Sequence, residues 1–108
     1  MTKSEILAAC KLACRISSNS LDDEINGLID AAFLDLEISG VADHLGQPYT
    51  PVNSDQLVIT AVKTYVKLHL GDLLDSAEAD KLSMSYWNQV ATLKMRLHSS
   101  SQISEDES

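Results

Sequence analysis

Hydrophobic side chains recur every three or four residues through most of the chain, a spacing typical of amphipathic helices. The pattern predicts four helices, at about residues 3–14, 21–39 and 54–70 and from residue 76 onward. On the second helix, the core-facing stripe is predicted to contain Leu21, Ile25, Leu28, Ile29, Ala32 and Leu36. No segment reads convincingly as a strand. We therefore predict an all-α fold, a small bundle of about four helices.

Residues with capping chemistry stand at the predicted helix ends. The predicted N-caps, each with an acid three residues later, are Thr2 with Glu5, Ser20 with Asp23, and Asp75 with Glu78. The third helix is predicted to begin at Asn53 or Ser54. Gly40 and Gly71 are predicted to end the second and third helices, because glycine readily adopts the left-handed conformation found there.

The third helix is apolar around more than half of its circumference, which is typical of a helix at the centre of a bundle. His69 falls within this apolar arc and is predicted to be a hydrogen-bonded core residue. Residues 41–53 contain both prolines of the chain and form a long predicted loop. Leu45 and Tyr49 are its candidate partner-docking groups.

The chain divides into a helical domain at residues 1–98 and a polar, acidic segment at residues 99–108. The second segment has too few apolar groups to offset the entropy lost on ordering. We predict that it is a disordered tail.

Two helices carry a second row of apolar residues beside the core-facing stripe. These candidate interface residues are Gly27, Ala31, Leu34 and Ile38 on the second helix and Met84, Trp87 and Met95 on the fourth. One interpretation is that both rows remain exposed and bind another subunit or protein. The alternative is that the first and third helices cover them.

The acids of the second helix have several roles. Those at its start favour the positive end of the helix dipole, whereas Asp23, Asp30 and Glu37 share a face opposite the core. A paired-carboxylate enzyme using Asp30 and Glu37 is a weak alternative, because it needs a pocket that desolvates one acid and no catalytic motif is present. The chain has 16 acids against 8 bases, a formal charge of −8, which excludes binding driven by phosphate neutralisation.

Cys10 and Cys14 are the only cysteines, and the histidines are scattered. A structural zinc site normally takes four ligands, so we predict buried, reduced thiols without metal and no cofactor. No segment reads as a signal peptide or membrane span, which indicates a cytoplasmic location and no membrane partner.

Several segments in order resemble one protein family. They are the Cys14, Arg15, Ile16 end of the first helix, then LDDEINGLIDAAFLDLE, QLVITAVKTYVKLHLGD and SYWNQVATLKM. This series resembles the small phage head-tail connector proteins, also called DNA-packaging adaptors, over about residues 6–95. The chain departs from the pattern after the Arg-Ile pair, where Ser17 and Ser18 stand in place of an acid found in many relatives.

The resemblance implies a structural subunit without enzymatic activity. It would form a ring of about a dozen copies between the portal and a stopper or tail-completion protein. It would be made in the bacterial cytoplasm and end in the virion, with DNA passing through the ring without specific binding. Asp23, Asp30 and Glu37 would face that passage. The alternative is a small helical adaptor or regulator that binds a single host protein through Met84, Trp87 and Met95.

Overall fold

The computed structural model describes the backbone of residues 1–70 and 75–107 and the side chains of residues 1–70 and 75–95. Its four helices are α1 Lys3–Ala13, α2 Asp22–Ile38, α3 Gln56–His69 and α4 Ser76–Glu107. No strand occurs within these described ranges. The prediction of an all-α fold of about four helices is therefore confirmed.

Helix α3 lies at the centre and packs against each of the other three helices, as its apolar circumference predicts. Its buried residues are Val58, Ile59, Ala61, Val62, Thr64 and Val66. The one hydroxyl among them, on Thr64, donates to the Thr60 carbonyl at 2.9 Å and is thereby satisfied. The prediction of a core position for His69 is wrong. His69 is the last residue of α3, so its ring lies exposed at the edge of the bundle, 4.3 Å from the Tyr65 ring.

The predicted inner stripe of α2 forms one wall of the core. Ile25, Ile29, Ala32 and Leu36 are almost completely buried, and Leu21 and Leu28 pack partly buried against them. The other helices complete the core with Ile6, Cys10, Tyr86, Val90 and Leu93. Each large aliphatic side chain buried in this way stabilises the fold by about 1.5–3 kcal/mol.

Helices α1 and α2 differ in how their N-termini are capped. Thr2 and Glu5 form the predicted capping box, with reciprocal hydrogen bonds of 3.2 and 3.0 Å. The predicted Ser20 cap is wrong, because α2 begins after Leu21 and has no side-chain cap. The Ser20 hydroxyl lies 3.0 Å from that of Ser18 instead, within the turn that leads into the helix.

A lysine from α1 holds this uncapped start in place. The Lys11 ammonium lies 2.8 Å from the Asp22 carboxylate and donates to the Asn19 side-chain oxygen, also at 2.8 Å. Both side chains of the ion pair are largely buried, so the pair is better shielded from water than an ordinary surface contact.

Helices α1 and α2 end in the same Schellman motif. Past each helix, one residue has positive φ, and the next N–H donates back to the carbonyl five residues earlier, at 2.8 and 2.9 Å. In α2 the left-handed residue is Gly40 at φ 89°, as predicted, whereas in α1 it is Arg15 at φ 58°. Gly71, which is predicted to end α3, lies outside the described residues.

Helix α3 begins later than predicted, with Asp55 as its N-cap. The Asp55 carboxylate accepts the N–H groups of Leu57 and Val58, both at 3.1 Å, which is a stronger capping arrangement than a neutral side chain offers. Asn53 and Ser54 belong to the preceding loop, where both bond to Thr50.

Helix α4 begins at the predicted cap, because the Glu78 N–H donates to the Asp75 carboxylate at 2.8 Å. Its 32 residues compare with 14 in α3, so α4 is more than twice as long as the helix on which it packs. Residues 99–107, most of the segment predicted to be a disordered acidic tail, lie at the C-terminal end of α4, and Ser108 lies outside the described residues. All of these residues fall outside the range in which side chains are described, as does Leu97.

Candidate assembly surfaces

The outer row of α2 consists of Gly27, Ala31, Leu34 and Ile38 and lies on the surface of the subunit. Leu34 is 55% exposed and Ile38 75% exposed, while Ala31 is half-buried. A Cβ built on Gly27 meets nothing within 4 Å. Nothing inside the subunit therefore requires a glycine there, although Gly costs about 1 kcal/mol relative to Ala within a helix.

The outer row of α4 is exposed to a similar degree. Met84 and Met95 are each 68% exposed and Trp87 is 55% exposed, with its ring edge-on to Tyr86 at 5.6 Å. These exposures show that both rows remain open in the subunit, while their binding to another subunit or protein stays a prediction. The first and third helices do not cover either row, so that alternative is wrong for the subunit.

A groove of about 490 Å³ runs between α3 and α4 beside the outer row of α4. Its large apolar side chains are exposed Leu57 of α3, exposed Met84 of α4 and buried Leu93 of α4. Polar side chains line the rest, and among the residues whose side chains the structure describes the charged one is Lys81. The groove therefore offers an apolar strip beside a positive charge, and no carboxylate belongs to the described part of its lining.

The acids predicted to share a face of α2 do reach the surface. Asp23, Asp30 and Glu37 are all exposed, and Asp30 lies 2.8 Å from the Lys3 ammonium. An exposed ion pair of this kind is worth about 0–1 kcal/mol, so it ties α1 to α2 only weakly. Both Asp30 and Glu37 face water, so neither carboxylate is desolvated as a paired-carboxylate mechanism requires.

One contact between helices is not signalled by the sequence. The buried Tyr86 hydroxyl of α4 donates to the Asp35 carboxylate of α2 at 2.5 Å. Burial raises the pKa of the Tyr86 phenol, and the bond to Asp35 raises it further. Burial and the same carboxylate also raise the pKa of Tyr65, whose ring lies edge-on to Tyr86 at 5.5 Å. Asp35 therefore anchors α4 to α2 at the border between the inner stripe and the outer row.

The loop between α2 and α3 is folded by its own hydrogen bonds. The Asp43 carboxylate accepts the N–H groups of Leu45 and Gln47, both at 2.9 Å, and the Asn53 amide at 3.0 Å. These bonds, the one from Gln47 first, lower the pKa of the Asp43 carboxyl. Of the two predicted docking groups, Leu45 is exposed, whereas Tyr49 is partly buried against the core.

The two cysteines lie on α1 and at its C-cap, in a setting that disfavours thiolate chemistry. Burial raises the pKa of the Cys10 thiol to about 12, and burial also raises that of Cys14. Within the described residues, no three His, Cys, Asp or Glu side chains are grouped to hold a metal ion. Over the same part of the chain, no helix has the length and hydrophobicity of a membrane span.

Comparison with known proteins gives one match. The model of the phage connector protein family matches residues 6–104, nearly the whole chain and parts of all four helices. No curated protein and no solved structure gives a significant match. The matched range contains every segment on which the sequence resemblance rests, so that resemblance is confirmed. The chain belongs to the phage connector protein family and is a structural component of the head-tail connector.

Proposed function

We propose that the subunit forms a ring of about a dozen copies between the portal and a stopper or tail-completion protein. The observation that carries this proposal is the pair of exposed apolar rows on α2 and α4, in a chain of the phage connector family. Exposed apolar surface rimmed by polar residues is typical of protein interfaces. The ring assembles in the host cytoplasm and remains in the virion.

In this ring the exposed acids of α2 face the DNA passage. Asp23, Asp30 and Glu37 lie on one side of the outer row, and α2 carries no basic residue. Carboxylates along a passage repel phosphates, so duplex DNA slides through without adhering. The subunit needs no cofactor or metal for this role and performs no chemistry.

The assembly is tested by measuring mass with the portal protein from the same genome. The purified subunit is mixed with that portal and analysed by native mass spectrometry and electron microscopy. We expect a ring of about a dozen subunits bound to the portal. Binding to one host protein, without self-association or portal binding, would instead establish the adaptor function of the Met84, Trp87 and Met95 surface.

The passage is tested by reversing the charge of the three acids. Replacing Asp23, Asp30 and Glu37 with Lys changes the charge of a twelve-copy ring by about seventy. We expect rings that assemble but retain duplex DNA and yield few infectious particles. The control replaces the same residues with Asn, Asn and Gln, which removes charge without adding attraction. Normal infectivity of the Lys variant would show that this face of α2 does not line the passage.

The interface is tested by placing a charge on the outer row. Ala31→Glu and Leu34→Glu should block assembly, because each buries a carboxylate in an apolar contact. Both side chains lie outside the fully buried core, so circular dichroism and thermal unfolding should show a folded monomer. Normal rings from both variants would exclude this surface as the interface.

The loop at residues 41–53 is proposed to dock the portal or the stopper through Leu45, with Tyr49 supporting it from beneath. The bonds to Asp43 hold the exposed Leu45 on a formed turn, which lowers the entropy lost on docking. Leu45→Asp should weaken partner binding while leaving ring mass unchanged. Equal partner binding by this variant and the native subunit would remove the loop from the contact.

A further inference from the structure

The two outer surfaces of the subunit differ in charge. Five carboxylates flank the apolar outer row of α2: Asp23, Asp30 and Glu37 on one side and Glu24 and Asp35 on the other. The helix itself carries no basic residue, and Lys3 of α1 pairs with Asp30. The groove between α3 and α4 pairs apolar Leu57 and Met84 with the Lys81 ammonium, and none of its described lining residues is an acid. An acidic apolar row and a positively charged apolar groove are complementary surfaces.

Pairing of like surfaces is disfavoured. Two α2 helices placed face to face would bring these flanking carboxylates together, and like charges opposed across an interface cost several kcal/mol. A two-fold dimer through α2 is therefore opposed by its own charge. Contact between two different surfaces of the same chain is heterologous, and such contacts generate rings when the rotation closes.

We propose that neighbouring copies meet head to tail, with the outer row of α2 seated in the α3–α4 groove of the next subunit. This inference rests on the proposed ring and assigns its two contacting faces. Leu34 and Ile38 of one copy pack on Leu57 and Met84 of the next. Glu24 and Asp35, which flank the row on the side away from Asp23, Asp30 and Glu37, approach the neighbour's Lys81. Gly27, which has open space around it in the subunit, lets the two helix backbones approach closely.

Cysteine cross-linking tests the assignment directly. The double variant Leu34→Cys, Met84→Cys carries one thiol on each proposed face and should give a ladder of disulfide-linked oligomers on mild oxidation under ring-forming conditions. Each single variant alone should give no ladder. The native subunit, with Cys10 and Cys14 of raised thiol pKa, measures the background.

The outcomes separate this inference from the proposed ring. Rings without a ladder from the double variant would overturn the head-to-tail assignment and leave the ring intact. Self-linking of Leu34→Cys alone would also overturn it, in favour of like-with-like pairing. Failure of the native subunit to form rings with the portal would overturn both.

A charge variant gives a second, independent readout. Lys81→Glu should weaken ring assembly by at least about tenfold in subunit concentration, because it places a carboxylate against the acids of α2. Lys81→Arg should preserve assembly. The matched control is Lys67→Glu, which makes the same charge change on α3 outside the groove. Equal loss from Lys81→Glu and Lys67→Glu would mean that net charge, and not this contact, controls assembly.

Discussion

The two faces of α2 are similar in composition but opposite in environment. Ile25, Ile29 and Leu36 on the inner face lie in the core, whereas Leu34 and Ile38 on the outer face lie in water. The same helical period places the inner-face and the outer-face residues on their two sides of α2. The difference comes from the neighbouring helices, because α1 and α3 pack against α2 and leave its outer row open. The inner face therefore stabilises the subunit, and the outer face is available for assembly.

The largest expected effect comes from truncating one side chain on each face of α2 and comparing the free energies of unfolding. Ile29→Ala should lower the free energy of unfolding of the isolated subunit by about 2–5 kcal/mol, because it leaves a cavity in the core. Leu34→Ala, on the exposed row, should change it by no more than about 0.5 kcal/mol. Urea denaturation of the monomer measures both. Comparable losses from the two variants would contradict the distinction between the faces.

Alkaline pH should act on groups packed against the inner face. The Cys10 thiol, with its pKa raised to about 12, and the Tyr86 phenol both hold their protons more tightly when folded. Their contributions to stability are complete below the unfolded pKa values, about 8.5 for the thiol and about 10 for the phenol. Stability should fall as pH rises beyond these values, with the thiol contribution lost by about pH 12.

Urea denaturation between pH 7 and 10 measures this loss. Cys10→Ala is the control, since it should cost on the order of 1 kcal/mol at neutral pH through lost packing. Cys10→Ala should also make the free energy of unfolding fall less steeply between about pH 8.5 and 10. An unchanged decline in this variant would show that the Cys10 thiol is not its cause.

The hydrogen bond between Tyr86 and Asp35, at the border between the two faces of α2, is tested by removing the Tyr86 hydroxyl. Tyr86→Phe leaves the ring in the core but takes the donor from Asp35, and should cost about 1–3 kcal/mol. Asp35→Asn is the matched variant, because its amide oxygen still accepts from Tyr86 and should cost less. Thermal unfolding of the two variants compares them. Equal stability of Tyr86→Phe and the native subunit would mean that water replaces the bond without loss.

The smallest expected effect is that of Gly27→Ala, which should stabilise the isolated subunit but weaken the proposed ring. Gly27→Ala should stabilise the isolated subunit by about 1 kcal/mol, because Ala favours the helix and its Cβ meets nothing. The added methyl should weaken assembly if another helix lies against Gly27. Thermal unfolding and ring yield are measured on the same preparation. Stabilisation with undiminished ring yield would show that no helix approaches closely at this position.

Periodicity predicts the four helices, the central position of α3 and both faces of α2, because these follow from the spacing of apolar residues along one helix. The caps at Thr2 and Asp75 also follow from local spacing. Ser20 and Asn53 mislead because several polar residues stand near those helix starts. Which one caps is decided by where the chain turns, and here Leu21 and Asp55 occupy the cap positions.

Contacts between distant residues are harder to predict. Asp35 and Tyr86 are separated by 51 positions, and each has an ordinary local explanation, Asp35 as a solvated acid and Tyr86 as a core aromatic. The groove likewise depends on how α3 and α4 pack. The outer rows are visible in the sequence, but their exposure is decided only by the placement of neighbouring helices.

The order of helix contacts has a consequence for the kinetics of folding. Helices that follow one another in the chain pack together, and the contacts that pass over an intervening helix include that of α1 with α3 and the Tyr86–Asp35 bond of α4 with α2. Chains dominated by such local contacts fold within microseconds to milliseconds. Newly made chains therefore spend little time with their inner faces exposed to water.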